Sequence, residues 1–142
     1  MAAPTQASAQ WTGGEQFLTR GSSGHEVLMD SDRASNLAPG PMEMVLRSLC
    51  ACSATDVVIV LKKKRQAFTA VEVTAAGERA PEPPTVYTQI HMKYRIAGHH
   101  VDRQAAERAV ALSQEKYCSV LATLRQRARI SYELILEEAA GS

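Results

Sequence analysis

The stretch GPMEMVLRSLCACSATDVVIVLKKKR, residues 40–65, limits what this chain can fold into more than any other part of it. From Met42 to Leu61 it is apolar over about the length that crosses a bilayer. Glu43, Arg47 and Asp56 are spread along it, and each charge at mid-membrane costs roughly 2.5–3.5 kcal/mol on insertion scales. A membrane span is therefore rejected. The alternative is a helix, about Met42 to Arg65, buried on most of its surface. A chain of 142 residues is expected to form one compact domain, too small to bury such a helix on every side. A second subunit is expected to cover it. Pro41 suits the first helical turn, where its missing N–H would have no partner anyway. Lys62, Lys63, Lys64 and Arg65 suit the last turn, where cations complement the helix dipole.

Strand signals lie on both sides of this helix. EQFLTR and HEVLMD flank GSSG and predict a hairpin within residues 10–32. TAVEVTAAGER alternates Val71 and Val73 against Glu72 and Thr74. TVYTQIHMKYRI sets Val86, Thr88, Ile90, Met92, Tyr94 and Ile96 on one face, with Tyr87, Gln89, His91, Lys93 and Arg95 on the other. Asp102 is the expected N-cap of a helix from about Arg103 to Tyr117, with Ala106, Ala109, Val110, Ser113 and Tyr117 inward. A short helix over about 120–126 and a last strand through Ile130, Tyr132, Leu134 and Leu136 follow. Short turns between strand pairs predict an α+β fold with antiparallel sheets. MAAPTQASAQ has neither a basic n-region nor an apolar h-region. Residues 1–12 are expected to be a disordered leader, and 13–142 a single domain.

Composition excludes several functions. A net charge of +1 creates no field that would draw nucleic acid or a membrane surface. Aromatic residues make up only 5% of the chain, too few for a single-strand stacking platform. Three cysteines are too sparse for a secreted disulfide framework. The expected compartment is the cytoplasm, where cysteines that pair are usually redox-active. His25, His91, His99 and His100 show no metal-ligand spacing, so a zinc site is not expected.

The thiols are the candidates for chemistry. Cys50 and Cys52 are about 200° apart on a helix and cannot bridge each other. Cys118 can pair with Cys52 or with Cys50, or all three can pack as small hydrophobes. A reactive thiol needs a cation or a helix N-terminus beside it. Arg20, Arg33, Arg47 and Arg95 are the candidate cations.

GPMEMVLRSLCACSATDVV, followed far downstream by EKYCSV, resembles the OsmC/Ohr family of thiol-dependent hydroperoxide reductases, and the OsmC-like branch in particular. SGHEVLMD, GERAPEPPTVYTQIHMKYRI and AERAVALSQEKYC fit the same branch, so the resemblance covers about residues 13–137. It implies antiparallel sheets wrapped around a long central helix, in an intertwined homodimer with sites at the interface. It implies that Cys52 attacks an organic hydroperoxide, Cys118 resolves the product as a disulfide, and a dithiol reductant (lipoyl-type or a small thiol) resets the pair without metal, flavin or heme. Glu43 matches the carboxylate nine positions before the attacking cysteine. On a straight helix it faces away from Cys52, so a shared site needs a late helix start, a kink or a neighbouring chain. Its other role is as a first-turn acid favoured by the helix dipole. The thiolate-stabilising arginine falls near Ser22, in RGSSGHE, with Arg20 two residues away. That offset favours a rival expectation, a small-ligand-binding protein of the same fold with little peroxidase activity. A purely structural stress protein is the third.

Overall fold

A computed structural model describes residues 3–141. The chain divides into two compact units, Met1–Val45 and Leu46–Ser142.

The first unit is a three-stranded antiparallel meander of β1 (Ala7–Gly13), β2 (Gln16–Gly21) and β3 (Glu26–Asp30). Gly13 and Gly14 take positive φ at the first turn, where a side chain would be strained. Trp11 Nε1 donates to the Gly14 carbonyl at 2.9 Å across that turn. The expected hairpin is β2–β3. The expected leader is corrected over residues 7–12, which belong to β1. That strand is exposed almost throughout, so main-chain pairing to β2 holds it and no apolar alternation announces it. Met1 and Ala2, the start of that leader, lie outside the described residues. After β3, a loop winds around the Asp30 carboxylate, which accepts from the amides of Asp32 (2.9 Å) and Leu37 (3.0 Å) and from the Ser35 hydroxyl (2.6 Å). These donors, Ser35 foremost, hold the Asp30 carboxyl below the usual carboxylate range.

Helix α1 (Pro41–Lys63) begins at the end of the first unit and continues through the second. Its buried residues, Leu49, Ser53, Val57, Val60 and Leu61, form one stripe at helical spacing. Within this chain alone, α1 is buried along that one face. Length and composition alone would let α1 cross a membrane. Ser53 and Asp56, however, are bonded to side chains of the second unit, as in a packed core helix. Arg65 takes a left-handed φ, and the Gln66 amide reaches back to the Leu61 carbonyl at 3.0 Å, closing the helix end.

The second unit also holds β4 (Phe68–Arg79), β5 (Tyr87–Gly98), α2 (Arg103–Leu112), a π-helical turn (Ser113–Tyr117), α3 (Ser119–Leu124) and β6 (Arg129–Glu138). β5 is central and pairs antiparallel with β4. Its pairing with β6 is parallel, which corrects the all-antiparallel expectation. The connection between them contains α2 and α3, far longer than a hairpin turn, and such a crossover is what a parallel pair requires. Ile90, Met92, Tyr94 and Ile96 are buried on one face of β5, as their alternation predicts. The opposite face carries ion pairs of Arg95 with Glu137 and Glu72, and of Lys93 with Glu133. The alternation breaks at the start of the strand: Tyr87 is buried and Thr88 exposed, because the register shifts at Glu78/Arg79. Asp102 caps α2 as expected, accepting from the Ala105 amide at 3.3 Å.

Candidate active site

The single helix expected over residues 103–117 is interrupted at Ser113. The turn that follows is π-helical and ends where the Cys118 amide donates to the Ser113 carbonyl at 3.1 Å. A π turn takes one residue more than an α turn, so the inward stripe changes identity. Ser113 stays buried and Gln114 joins it, while Tyr117, expected inward, is 50% exposed. The same turn delivers Cys118 to the interior, where it is 2% exposed. Cys118 is also the N-cap of α3, its sulfur accepting from the Leu121 amide at 3.4 Å.

The thiol of Cys118 neighbours that of Cys52, whose sulfur acts on it electrostatically. These two cysteines lie 66 positions apart in sequence. Cys52 is half-buried on α1 and Cys50 is likewise half-buried. Burial pushes the Cys118 thiol up to about 12, with the neighbouring Cys52 sulfur and the Asp56 charge acting in the same direction against the Leu121 amide. Cys118 therefore keeps its proton at neutral pH. Burial also pushes the Cys50 thiol up.

Beside the pair runs a chain of buried polar side chains that the sequence reading did not anticipate. Ser53 Oγ lies 2.6 Å from the Tyr94 hydroxyl and 2.6 Å from Ser113 Oγ. Ser113 Oγ donates to Asp56 Oδ2 at 2.9 Å, and Gln114 Nε2 donates to the Tyr94 hydroxyl at 2.7 Å. Arg125 Nη2 donates to the Gln114 carbonyl at 2.5 Å. Burial pushes the Tyr94 phenol up, against its hydrogen bonds to Ser53 and Gln114, so it stays neutral. The available signal was polar residues on otherwise apolar stripes: Ser53 in line with Leu49 and Val57, and Ser113 in line with Ala109.

Arg95 projects from β5 on the face opposite Tyr94, where it pairs with Glu137 and Glu72, so it is removed as a cation for the thiols. Arg20 sits on β2, ion-paired with its cross-strand partner Glu26. Arg33 donates to the Asp30 carbonyl at 2.5 Å. Glu43 is in the first turn of α1, which is helical from Pro41 and has no late start. Among the described residues, no three His, Cys, Asp or Glu side chains group closely enough to share a metal ion.

Known proteins share this arrangement of chain. The family model for OsmC-like proteins matches residues 34–133. Protein YhfA of Escherichia coli (strain K12) is 42% identical over 132 residues, covering 92% of this chain and 98% of that protein. A hypothetical protein from Aquifex aeolicus VF5, known from its crystal structure, is 33% identical with a TM-score of 0.80, over 95% of this chain and 98% of that one. The organic hydroperoxide resistance protein OhrB of Bacillus subtilis shares the fold at a TM-score of 0.63 and 16% identity, over 94% of this chain and 98% of that one.

Proposed function

This chain belongs to the OsmC-like protein family, and from that premise we propose that it is a thiol-dependent peroxidase that reduces organic hydroperoxides. The observation that carries the reading is the proximity of the Cys52 and Cys118 thiols. Cys52, the more accessible of the two, is the attacking sulfur. Its thiolate bonds to the distal peroxide oxygen, the O–O bond breaks, and the alkoxide leaves as an alcohol after taking a proton. Cys52 is then a sulfenic acid. The Cys118 sulfur attacks that sulfur, the S–S bond forms, the S–O bond breaks, and water carries away the Cys118 proton. A dithiol reductant, lipoyl-type or a small thiol, reopens the disulfide by exchange. The cycle needs no metal or other cofactor.

Arg20 and Glu43 are the charged groups assigned to the thiolate in this reading. The Arg20–Glu26 pair is one that the protein must open to use that guanidinium. The reading treats residues 13–142 as one OsmC-like domain, which the relative aligned over 92% of this chain supports. It places two copies in the working protein. Trp11 (66% exposed) and Leu37 (65%), with Val27, Leu28 and Ile59, leave apolar surface for a second copy to cover. The site is assigned to the cytoplasm, where reduced thiols are replenished.

The pairing of Arg20 with Glu26 favours a second reading, a small-ligand-binding protein of the same fold whose thiols turn over slowly. Consumption of cumene hydroperoxide in the presence of a dithiol separates the two. Rapid loss that Cys52→Ser abolishes supports the peroxidase; wild-type turnover no faster than free dithiol supports the binder.

A further inference from the structure

The hydrogen bonds around Ser53 run in one direction when Asp56 is ionised. A carboxylate only accepts, so Ser113 spends its single hydroxyl proton on Asp56 Oδ2. At 2.6 Å Ser53 must then donate to Ser113. With the Ser53 proton spent, the Tyr94 hydroxyl donates to Ser53, and Gln114 Nε2 donates to Tyr94. The chain therefore reads Gln114 to Tyr94 to Ser53 to Ser113 to Asp56, and a negative charge terminates it. It also joins the two backbone segments that carry the thiols. Ser113 and Gln114 open the π turn that Cys118 closes, whereas Ser53 and Asp56 follow Cys52 by one and four residues on α1.

We propose that Asp56 is a positioning residue for the thiol pair, anchoring through Ser113 the π turn that presents Cys118 to Cys52. This rests on the reading of Cys52 and Cys118 as redox partners. Asp56 also supplies charge. The groups facing Cys118 are Cys52 and Asp56 from α1 and Tyr94 from β5, with Arg125 beyond α3 bonded to the Gln114 carbonyl. The Asp56 carboxylate opposes a second negative charge on Cys118, so neutralising it lets Cys118 ionise at lower pH.

Two substitutions separate anchor from charge. Asp56→Asn keeps an acceptor oxygen for Ser113 and removes the charge; Ser113→Ala keeps the charge and cuts the chain. Reduced protein is treated with diamide, an azo oxidant that bypasses hydroperoxide chemistry. The Cys52 sulfur adds across the N=N bond. The Cys118 sulfur then displaces it, forming the S–S bond and breaking the S–N bond, and the hydrazine leaves with both thiol protons and two electrons. Decay of the Cys52 adduct to the disulfide, followed by intact mass after acid quench, isolates the Cys118 step. For Asp56→Asn, the profile of this rate against pH moves to lower pH, so closure at a fixed pH is faster than in the wild type. Asp56→Glu restores the wild-type profile. Ser113→Ala keeps the wild-type pH dependence but closes several-fold more slowly.

Closure of Ser113→Ala at the wild-type rate overturns the anchoring, and a profile in Asp56→Asn that does not move, or that moves to higher pH, overturns the charge effect of Asp56. If that variant does not fold, Ser113→Ala carries the test alone, and closure at the wild-type rate contradicts it. Wild-type protein that closes with diamide but spares cumene hydroperoxide defeats the peroxidase reading and leaves the Asp56 assignment standing. Wild-type protein that does not close with diamide overturns the assignment.

Discussion

The amide of Cys118 donates to the carbonyl of Ser113, five residues back, at 3.1 Å. This bond defines the π turn and exchanges the burial of Gln114 and Tyr117 relative to an uninterrupted helix. The exchange predicts opposite mutational costs. Gln114→Ala leaves the buried Tyr94 hydroxyl without its donor and costs about 1–3 kcal/mol. Tyr117→Ala, at an exposed side chain, stays within about 0.5 kcal/mol of wild type. Urea unfolding of the reduced variants measures both, and equal costs would contradict the turn.

The Cys118 thiol gives the fold an alkaline limit. Its folded pKa, about 12, is raised above its ordinary 9.0. Below the unfolded value the thiol is protonated in both states and its contribution is complete. As pH rises from about 9 toward 12, the unfolded chain ionises first and stability falls. Cys118→Ser removes this component, so thermal melting of the variant should depend less on pH over that window than that of the reduced wild type. Parallel curves for the two proteins would show that Cys118 does not titrate between the states.

Asp30 acts at the acid end. Its carboxyl is held low by the Ser35 hydroxyl and the Leu37 and Asp32 amides. Its contribution is present above the ordinary carboxylate value and is lost as pH falls through the lowered folded value. Hydrogen exchange at the Asp32 and Leu37 amides is therefore expected to lose protection in acid. In Asp30→Asn, where one oxygen becomes a donor, protection at one or both amides is weaker at neutral pH as well. Unchanged protection in that variant would argue against the loop being built on this carboxylate.

Much of the second unit was legible because burial leaves a periodic trace. Ile90 to Ile96 alternate on β5, and Ala106, Ala109 and Val110 repeat on α2. β1 was not legible, since an exposed strand held by main-chain bonds has no apolar period. The parallel sense of β6 escaped because alternation carries no direction, although the length of the preceding connection did. Cys52 and Cys118 were nominated by the family resemblance, while their contact depends on a π turn that side-chain pattern does not encode. Ser113 was legible only as a member of the inward stripe, and neither Ser53 nor Gln114 was singled out. Their role appears only when three segments meet.

Gly98 tests packing where the chain leaves β5. A Cβ there would sit 2.4 Å from the Ala67 carbonyl oxygen and 2.6 Å from the Phe68 Cα, both backbone atoms. Backbone cannot turn aside as a flexible side chain can, so Gly98→Ala should destabilise by about 1–3 kcal/mol. Thermal or urea unfolding gives the figure, and a variant as stable as wild type would mean that β4 shifts freely at this point.

The contact of Cys52 with Cys118 is tested most directly by intact mass and peptide mapping of reduced protein after one equivalent of cumene hydroperoxide. The expected product has lost two hydrogens, with one disulfide joining the Cys52 and Cys118 peptides and Cys50 still alkylatable. Protein of unchanged mass, oxygen additions retained on Cys52 while Cys118 stays a thiol, or a disulfide through Cys50 would contradict it.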